Sequence, residues 1–173
     1  MIYKPEDVCS KLPFKKITKC EGVIDYKIIR EIHRKIQANA LTIQSELGGG
    51  QHGILGLAMQ PATYRTVIGQ YFQLPIRPPQ AAPVPTTTDA DEILRYIQLH
   101  AAQVNQCPQM VNEEDILKKQ LLVSLEENYF KGQLQAYINY ANRTLAVLIQ
   151  HFYDDYGTIP PLEIEDSEQK MKQ

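Results

Sequence analysis

The stretch DYKIIREIHRKIQANALTIQSELGGGQHG, Asp25 to Gly53, decides how the rest of the chain is read. Two readings compete over it. Its end, Gly48 to Gly53, fits G-x-G-x-x-G, the phosphate-binding fingerprint of dinucleotide-binding enzymes. That fingerprint needs a strand before it, a long helix after it and an acid about 20 residues further on. The segment before it here has a helical period: Ile28, Ile29, Ile32, Ile36, Ala40, Ile43 and Leu47 recur at three- and four-residue steps behind a capping Asp25. The segment after it, ILGLAMQP, is cut short by Pro61, and neither an acid nor a lysine occurs from Gly48 to Thr88. The missing lysine also removes the P-loop, which needs Gly-Lys-Ser/Thr. The stretch therefore predicts one amphipathic helix of about six turns. Gly48-Gly49-Gly50 stops it, because glycine accepts left-handed dihedrals.

Outward from this helix the pattern stays helical. HGILGLAM, His52 to Met59, reads as an extended strand or a buried loop. Pro61 suits the first turn of a short helix that Gly69 ends. FQLPIRPPQAAPVPTTT, Phe72 to Thr88, carries five prolines and predicts an exposed, extended connection in which Arg77 has no carboxylate of its own segment to meet. Thr88 or Asp89 caps a helix with the stripe Ile93, Leu94, Ile97, Ala101 and Val104, ended by Pro108. Asn112 caps the next, with Leu117, Leu121, Leu122 and Leu125 inward, running on toward Tyr129 and Phe130 and bent or ended at Gly132. Asn142 caps the last, with Leu145, Leu148, Ile149, Phe152 and Tyr156 inward and Gly157 closing it. The expected organisation is an irregular arm over 1–24, a helical domain over 25–160, and a short helix or polar tail over 161–173. The expected fold class is all-α, a compact multi-helix bundle with a proline-rich extended loop.

Residues that could carry chemistry do not assemble in the sequence. His33, His52, His100 and His151 form no H-x-x-x-H or H-E-x-x-H pair, and none has a flanking carboxylate at metal spacing, so they read as structural. Asp154 and Asp155 are adjacent on a helix and point about 100° apart, so they do not converge on one substrate. Tyr137, Tyr140, Phe152, Tyr153 and Tyr156 read as core with hydroxyls reaching the surface, the alternative being a protein-binding face. Cys9, Cys20 and Cys107 are odd in number and far apart, which argues against a disulfide framework or a zinc knuckle and for a reducing, cytoplasmic setting. A net charge of −2, with its densest basic cluster only the four lysines of Lys11 to Lys19, gives no support for binding nucleic acid. No signal peptide or membrane span is expected. The reading is non-enzymatic, with no catalytic, cofactor or metal-binding residue assigned and the interface residues left open.

Four segments in order carry a family resemblance: HGILGLAMQPATY, the proline-rich stretch ending in TTTDADEI, ILKKQLLVSLEENYF, and LAVLIQHFYDDYGTIPPLEIE. The order resembles the Gag protein of copia-type LTR retroelements. The matching positions are His52, Gly53, Leu55, Gly56, Met59, Tyr64, Leu117, Lys118, Leu121, Tyr129, Leu148, His151, Phe152, Tyr153, Tyr156, Gly157 and Ile159. They fall within Gly48 to Glu165, about two thirds of the chain. The resemblance implies a structural protein that builds the shell around the element's RNA, with a helical capsid region in two lobes. The chain stops soon after its Y-G-x-I motif, so it resembles the N-terminal lobe of such a capsid. Its implied partner is itself, with RNA contacted through other parts of the polyprotein. A domesticated relative serving as a helical adaptor for another protein would look the same.

Overall fold

The computed structural model describes residues 17–45, 47–49, 51–76, 86–135 and 139–157. Four α-helices follow in order: α1 Tyr26–Thr42, α2 Pro61–Ile68, α3 Ala90–Ser124 and α4 Leu145–Tyr156. Short 3-10 helices, Leu47–Gly49, Leu55–Ala58 and Glu127–Gln133, link them. Among the described residues, extended pairing is limited to an isolated antiparallel bridge between Gln135 and Asn139. The all-α expectation therefore holds over these residues. Tyr137, Arg77, Cys9 and the 161–173 tail lie outside them.

The core forms where the stripes meet. Ile29, Ile32, Ile36 and Ala40 of α1 pack against Leu117 and Leu121 of α3, Leu148, Ile149 and Phe152 of α4, and Leu57 and Ala58 of the 3-10 turn. Asp25 caps α1 as its sequence position predicts, its Oδ1 accepting from the Ile28 N–H at 2.9 Å. The segment before it is irregular over 17–24 but is not a loose arm. Ile24 is buried, the Cys20 N–H donates to the Ser124 carbonyl at 2.8 Å, and the Tyr129 hydroxyl donates to the Gly22 carbonyl at 2.8 Å.

The structure corrects four boundaries. First, α1 ends at Thr42 and not at the glycines, although Ile43 and Leu47 stay buried. The chain returns across its C-terminus, where the Ile54 N–H donates to the Ala40 carbonyl at 3.1 Å, a partner that a helix end otherwise lacks. Gly53 (φ 53°) makes this approach possible, because a Cβ there would stand 2.5 Å from the Ala40 oxygen and 2.6 Å from the Ile43 oxygen. Second, His52 to Met59 is neither strand nor loop but holds the buried 3-10 turn. Third, Pro108 does not end a helix and Asn112 does not start one: α3 runs through both as 35 residues and ends at Ser124, so that Tyr129, Phe130 and Gly132 fall in the separate 3-10 turn Glu127–Gln133. Proline removes one N–H and crowds the carbonyl four residues back, at about 3 kcal/mol. Long runs of Leu, Gln, Ala, Glu and Lys on either side, with the Asp89 cap at the start, outweigh that single defect. Fourth, Thr144 and not Asn142 caps α4, its Oγ1 accepting from the Val147 N–H at 3.2 Å.

Gly48 and Gly56 act on the same side chain. Phe72, at the start of the proline-rich stretch, lays its ring between them, and a Cβ on either glycine would overlap the ring. The ring meets Tyr64 edge-on, with centroids 5.5 Å apart. The glycine-rich motif thus seats an aromatic anchor. Residues 71–76 and 87–89, on either side of the described gap, are non-helical as predicted.

Candidate functional site

His33 joins three segments. Its Nε2 lies 2.9 Å from the Ala58 carbonyl and its Nδ1 lies 3.1 Å from the Tyr153 hydroxyl. A carbonyl only accepts, so Nε2 carries the proton and Nδ1 accepts from the phenol. Gln37 reaches the same Nε2 at 2.9 Å, and with that nitrogen protonated the amide oxygen belongs there. Burial pushes the imidazole below its ordinary value, opposed by the bond to Ala58. Burial first, then the neighbouring Tyr26 phenol, pushes the Tyr153 phenol up, while Arg30 and Arg34 pull it back. The adjacent cleft, lined by His33, Gln60, Gln150 and Tyr153, holds about 40 Å³, far below the roughly 300–1,000 Å³ of small-molecule sites. With both ring nitrogens committed, the cluster fastens α1, the 3-10 turn and α4 together.

The remaining candidates are similarly engaged. His151 contacts the Tyr129 carbonyl through Nε2 at 3.0 Å and the Asp155 carboxylate through Nδ1 at 3.2 Å. That i, i+4 pair was visible in the sequence and missed there. Asp154 accepts from Gln150 at 2.7 Å, so the two acids each turn back along a separate row of α4 and do not converge. His52 is half-buried, and its carbonyl accepts from the Leu55 N–H at 3.2 Å. His100 is half-buried on the N-terminal part of α3. Phe130 stacks edge-on with Phe152 at 4.9 Å and with Tyr140 at 5.9 Å, and Tyr129 with Tyr156 at 5.0 Å. These aromatic residues form an internal cluster and not an open binding face. Among the described residues, Cys20 and Cys107 are free, no group of His, Cys, Asp and Glu is placed to hold a metal ion, and no helix is long and apolar enough to cross a membrane.

The unexplained surface lies elsewhere. No residue from Ala90 to Asn112 of α3 is buried; the helix enters the core only from Glu113 onward. The stripe that the sequence assigned to the interior is therefore outside it. Leu94 and Ile97 are each 55% exposed, Val104 44% and Val111 50%. Ala101 and Pro108 are exposed between them. Single exposed apolar residues are ordinary on any protein, but this row leaves one face of the helix apolar and without a partner among the described residues.

Past residue 112 the same helix is locked in place. The buried Glu113 carboxylate accepts from Ser45 and Gln109, each at 2.8 Å, and burial pushes its pKa up. Glu114 accepts from the Leu145 N–H at 2.8 Å, placing a carboxylate at the positive end of α4. Lys118 stands near it, 3.8 Å from Glu114 and 3.6 Å from Asp115. The outer half of α3 is thus presented from a firmly held base. No family model matches the chain, and no curated protein or solved structure matches it.

Proposed function

We propose that this chain is a structural domain of Gag type that self-associates to build the shell of a retroelement particle. The observation that carries the reading is the uncovered apolar row on α3, 22 residues of helix from Ala90 to Val111 with no buried position. A helix that stripes itself with leucine, isoleucine and valine and leaves them in water gains by burying them against another chain. The positions shared with the Gag pattern support the reading from a second side. Leu55, Tyr64, Leu117, Leu121, Leu148 and Phe152 are buried, Gly53 and Gly56 make close approaches, and His151 ties α4 to Tyr129. The resemblance thus falls on residues that fold the domain, as expected of a shell protein whose surface varies.

On this reading the domain works in the cytoplasm, its cysteines reduced, and RNA is contacted through other parts of the polyprotein. Individually weak contacts suffice, because a closed symmetric assembly multiplies them. Sedimentation velocity from micromolar to millimolar chain, with electron microscopy of cells expressing the whole Gag, tests it. The expected result is mass rising with concentration, and particles. A strict monomer together with particle-free cells rejects it. A monomer that copurifies with one partner at fixed stoichiometry replaces it with the adaptor reading.

A further inference from the structure

We infer that Leu94 to Val111 of α3 pairs antiparallel with the same helix of a second copy, about a two-fold axis crossing between Ala102 and Gln103. The inference rests on the self-association proposed above and names the face that makes it. Leu94, Ile97, Ala101, Val104, Pro108 and Val111 succeed one another at steps of three, four, three, four and three residues. That alternation is the seam of a two-helix coiled coil. Every one of these residues is exposed, so the seam is not used within the described fold.

The register is self-complementary, which a two-fold pair requires. Turned end for end about that axis, Leu94 meets Val111, Ile97 meets Pro108, and Ala101 meets Val104. Large residues face smaller ones in the outer layers, and the small Ala101 lets the helices approach closely at the axis. By the same rule Gln98 falls opposite Cys107, His100 opposite Asn105, and Asp91 opposite Glu114, whose carboxylate is held within its own chain by the Leu145 N–H. A parallel pair would instead bring Asp91 and Glu92 of both copies together and align the two helix dipoles side by side. The beginning of the proline-rich stretch passes along one flank, with the Cys107 thiol 3.9 Å from the Pro75 carbonyl. It leaves the row itself clear. A strip about 27 Å long and about 10 Å wide is small beside the roughly 800 Å² per partner of a standard interface. The pair is therefore weak alone and adequate in a lattice.

Disulfide trapping tests the register. In full-length chain with Cys9, Cys20 and Cys107 changed to serine, Ala101→Cys is mixed with a mass-tagged Val104→Cys under mild oxidation. The mixed dimer is expected at least tenfold above either like-with-like dimer. Equal or greater Ala101→Cys homodimer overturns the antiparallel register. A wild-type chain that sediments as oligomers but yields no mixed dimer overturns the face while leaving the shell reading intact. Mixed dimer without particles in cells supports the pairing and rejects the shell. Separately, Ile97→Glu is expected to weaken association at least tenfold with unchanged far-ultraviolet circular dichroism. Val123→Glu, 69% exposed on the same helix but off the row, is expected to leave it unchanged. Equal effects of the two overturn the inference.

Discussion

Gly56→Ala tests the packing of the glycine-rich motif. Its new methyl would overlap Cβ, Cγ and Cδ2 of Phe72. Because Cβ and Cγ sit at the root of the side chain, turning the ring does not relieve the clash, and Phe72 must leave its seat. Complete truncation of a buried Phe costs about 3–5 kcal/mol, and Phe72 is half-buried, so Phe72→Ala should cost about 2 kcal/mol. Gly56→Ala should cost about the same, since overpacking costs about 1–3 kcal/mol and is limited here by expelling one ring. In the double variant the ring is already gone, only the Cβ of residue 72, which the new methyl still overlaps, must shift, and Gly56 has no positive φ to strain an alanine. The double variant should then cost about 2–3 kcal/mol, leaving a coupling of about 1–2 kcal/mol against the roughly 0.5 kcal/mol scatter of independent sites. Gly48 differs: its φ of 62° penalises alanine even without the ring, by about 1 kcal/mol. Urea unfolding followed by circular dichroism measures all of these. Additive costs for the Gly56 and Phe72 changes would refute the seat.

Pro108→Ala should stabilise the chain by about 2 kcal/mol, the helix-interior penalty less the entropy that proline removes from the unfolded state. In thermal unfolding that is a rise of roughly 4–8 °C, and no rise would mean that the helix breaks there as the sequence suggested. Burial holds His33 below its ordinary 6.5, so on acidification the unfolded chain takes up the proton first. Its contribution should be full above about pH 6.5, fall as pH drops through that value, and level off below the folded value; His33→Gln should flatten that segment of a stability–pH curve. Glu113 has the opposite sign. Burial raises its pKa above the ordinary 4.5, so the favourable protonated form is fully present below that value and lost as pH rises through the folded one. Glu113→Gln should therefore be at least as stable as wild type near pH 7 and lose that advantage below pH 4.5; a loss of more than about 1 kcal/mol at pH 7 would show that the charge is needed.

Three of the four helix starts were legible because a cap is a local device. Asp25 accepts from Ile28, and Asp89 accepts from the Asp91 N–H at 2.9 Å, each within its own turn. Pro61 opens α2 for the same local reason. Endings were less legible because distant partners set them. The close of α1 depends on Ile54 donating to Ala40, and nothing near Thr42 announces it. Gly48 was read as a helix stop and Gly56 was given no role of its own, since Phe72, whose ring they accommodate, lies 16 residues beyond Gly56. The histidine cluster was illegible for the same reason, since 120 residues separate His33 from Tyr153.

The exposed row on α3 raises a subtler point, because its misplacement into the core came from counting apolar positions without weighing their step. The buried row of α1, Ile29, Ile32, Ile36 and Ala40, covers 11 residues in three steps, a mean of about 3.7. That is the period of a straight helix, so its row keeps facing one core. The exposed row, Leu94 to Val111, covers 17 residues in five steps, a mean of 3.4. Along a straight helix such a row drifts round the surface and loses contact with a fixed core. It stays in register only against another helix that winds with it. The two rows contain similar residue types and differ by a fraction of a residue per turn. On the pairing inferred above, that difference parts a row for the inside of a bundle from a row for the junction between two chains.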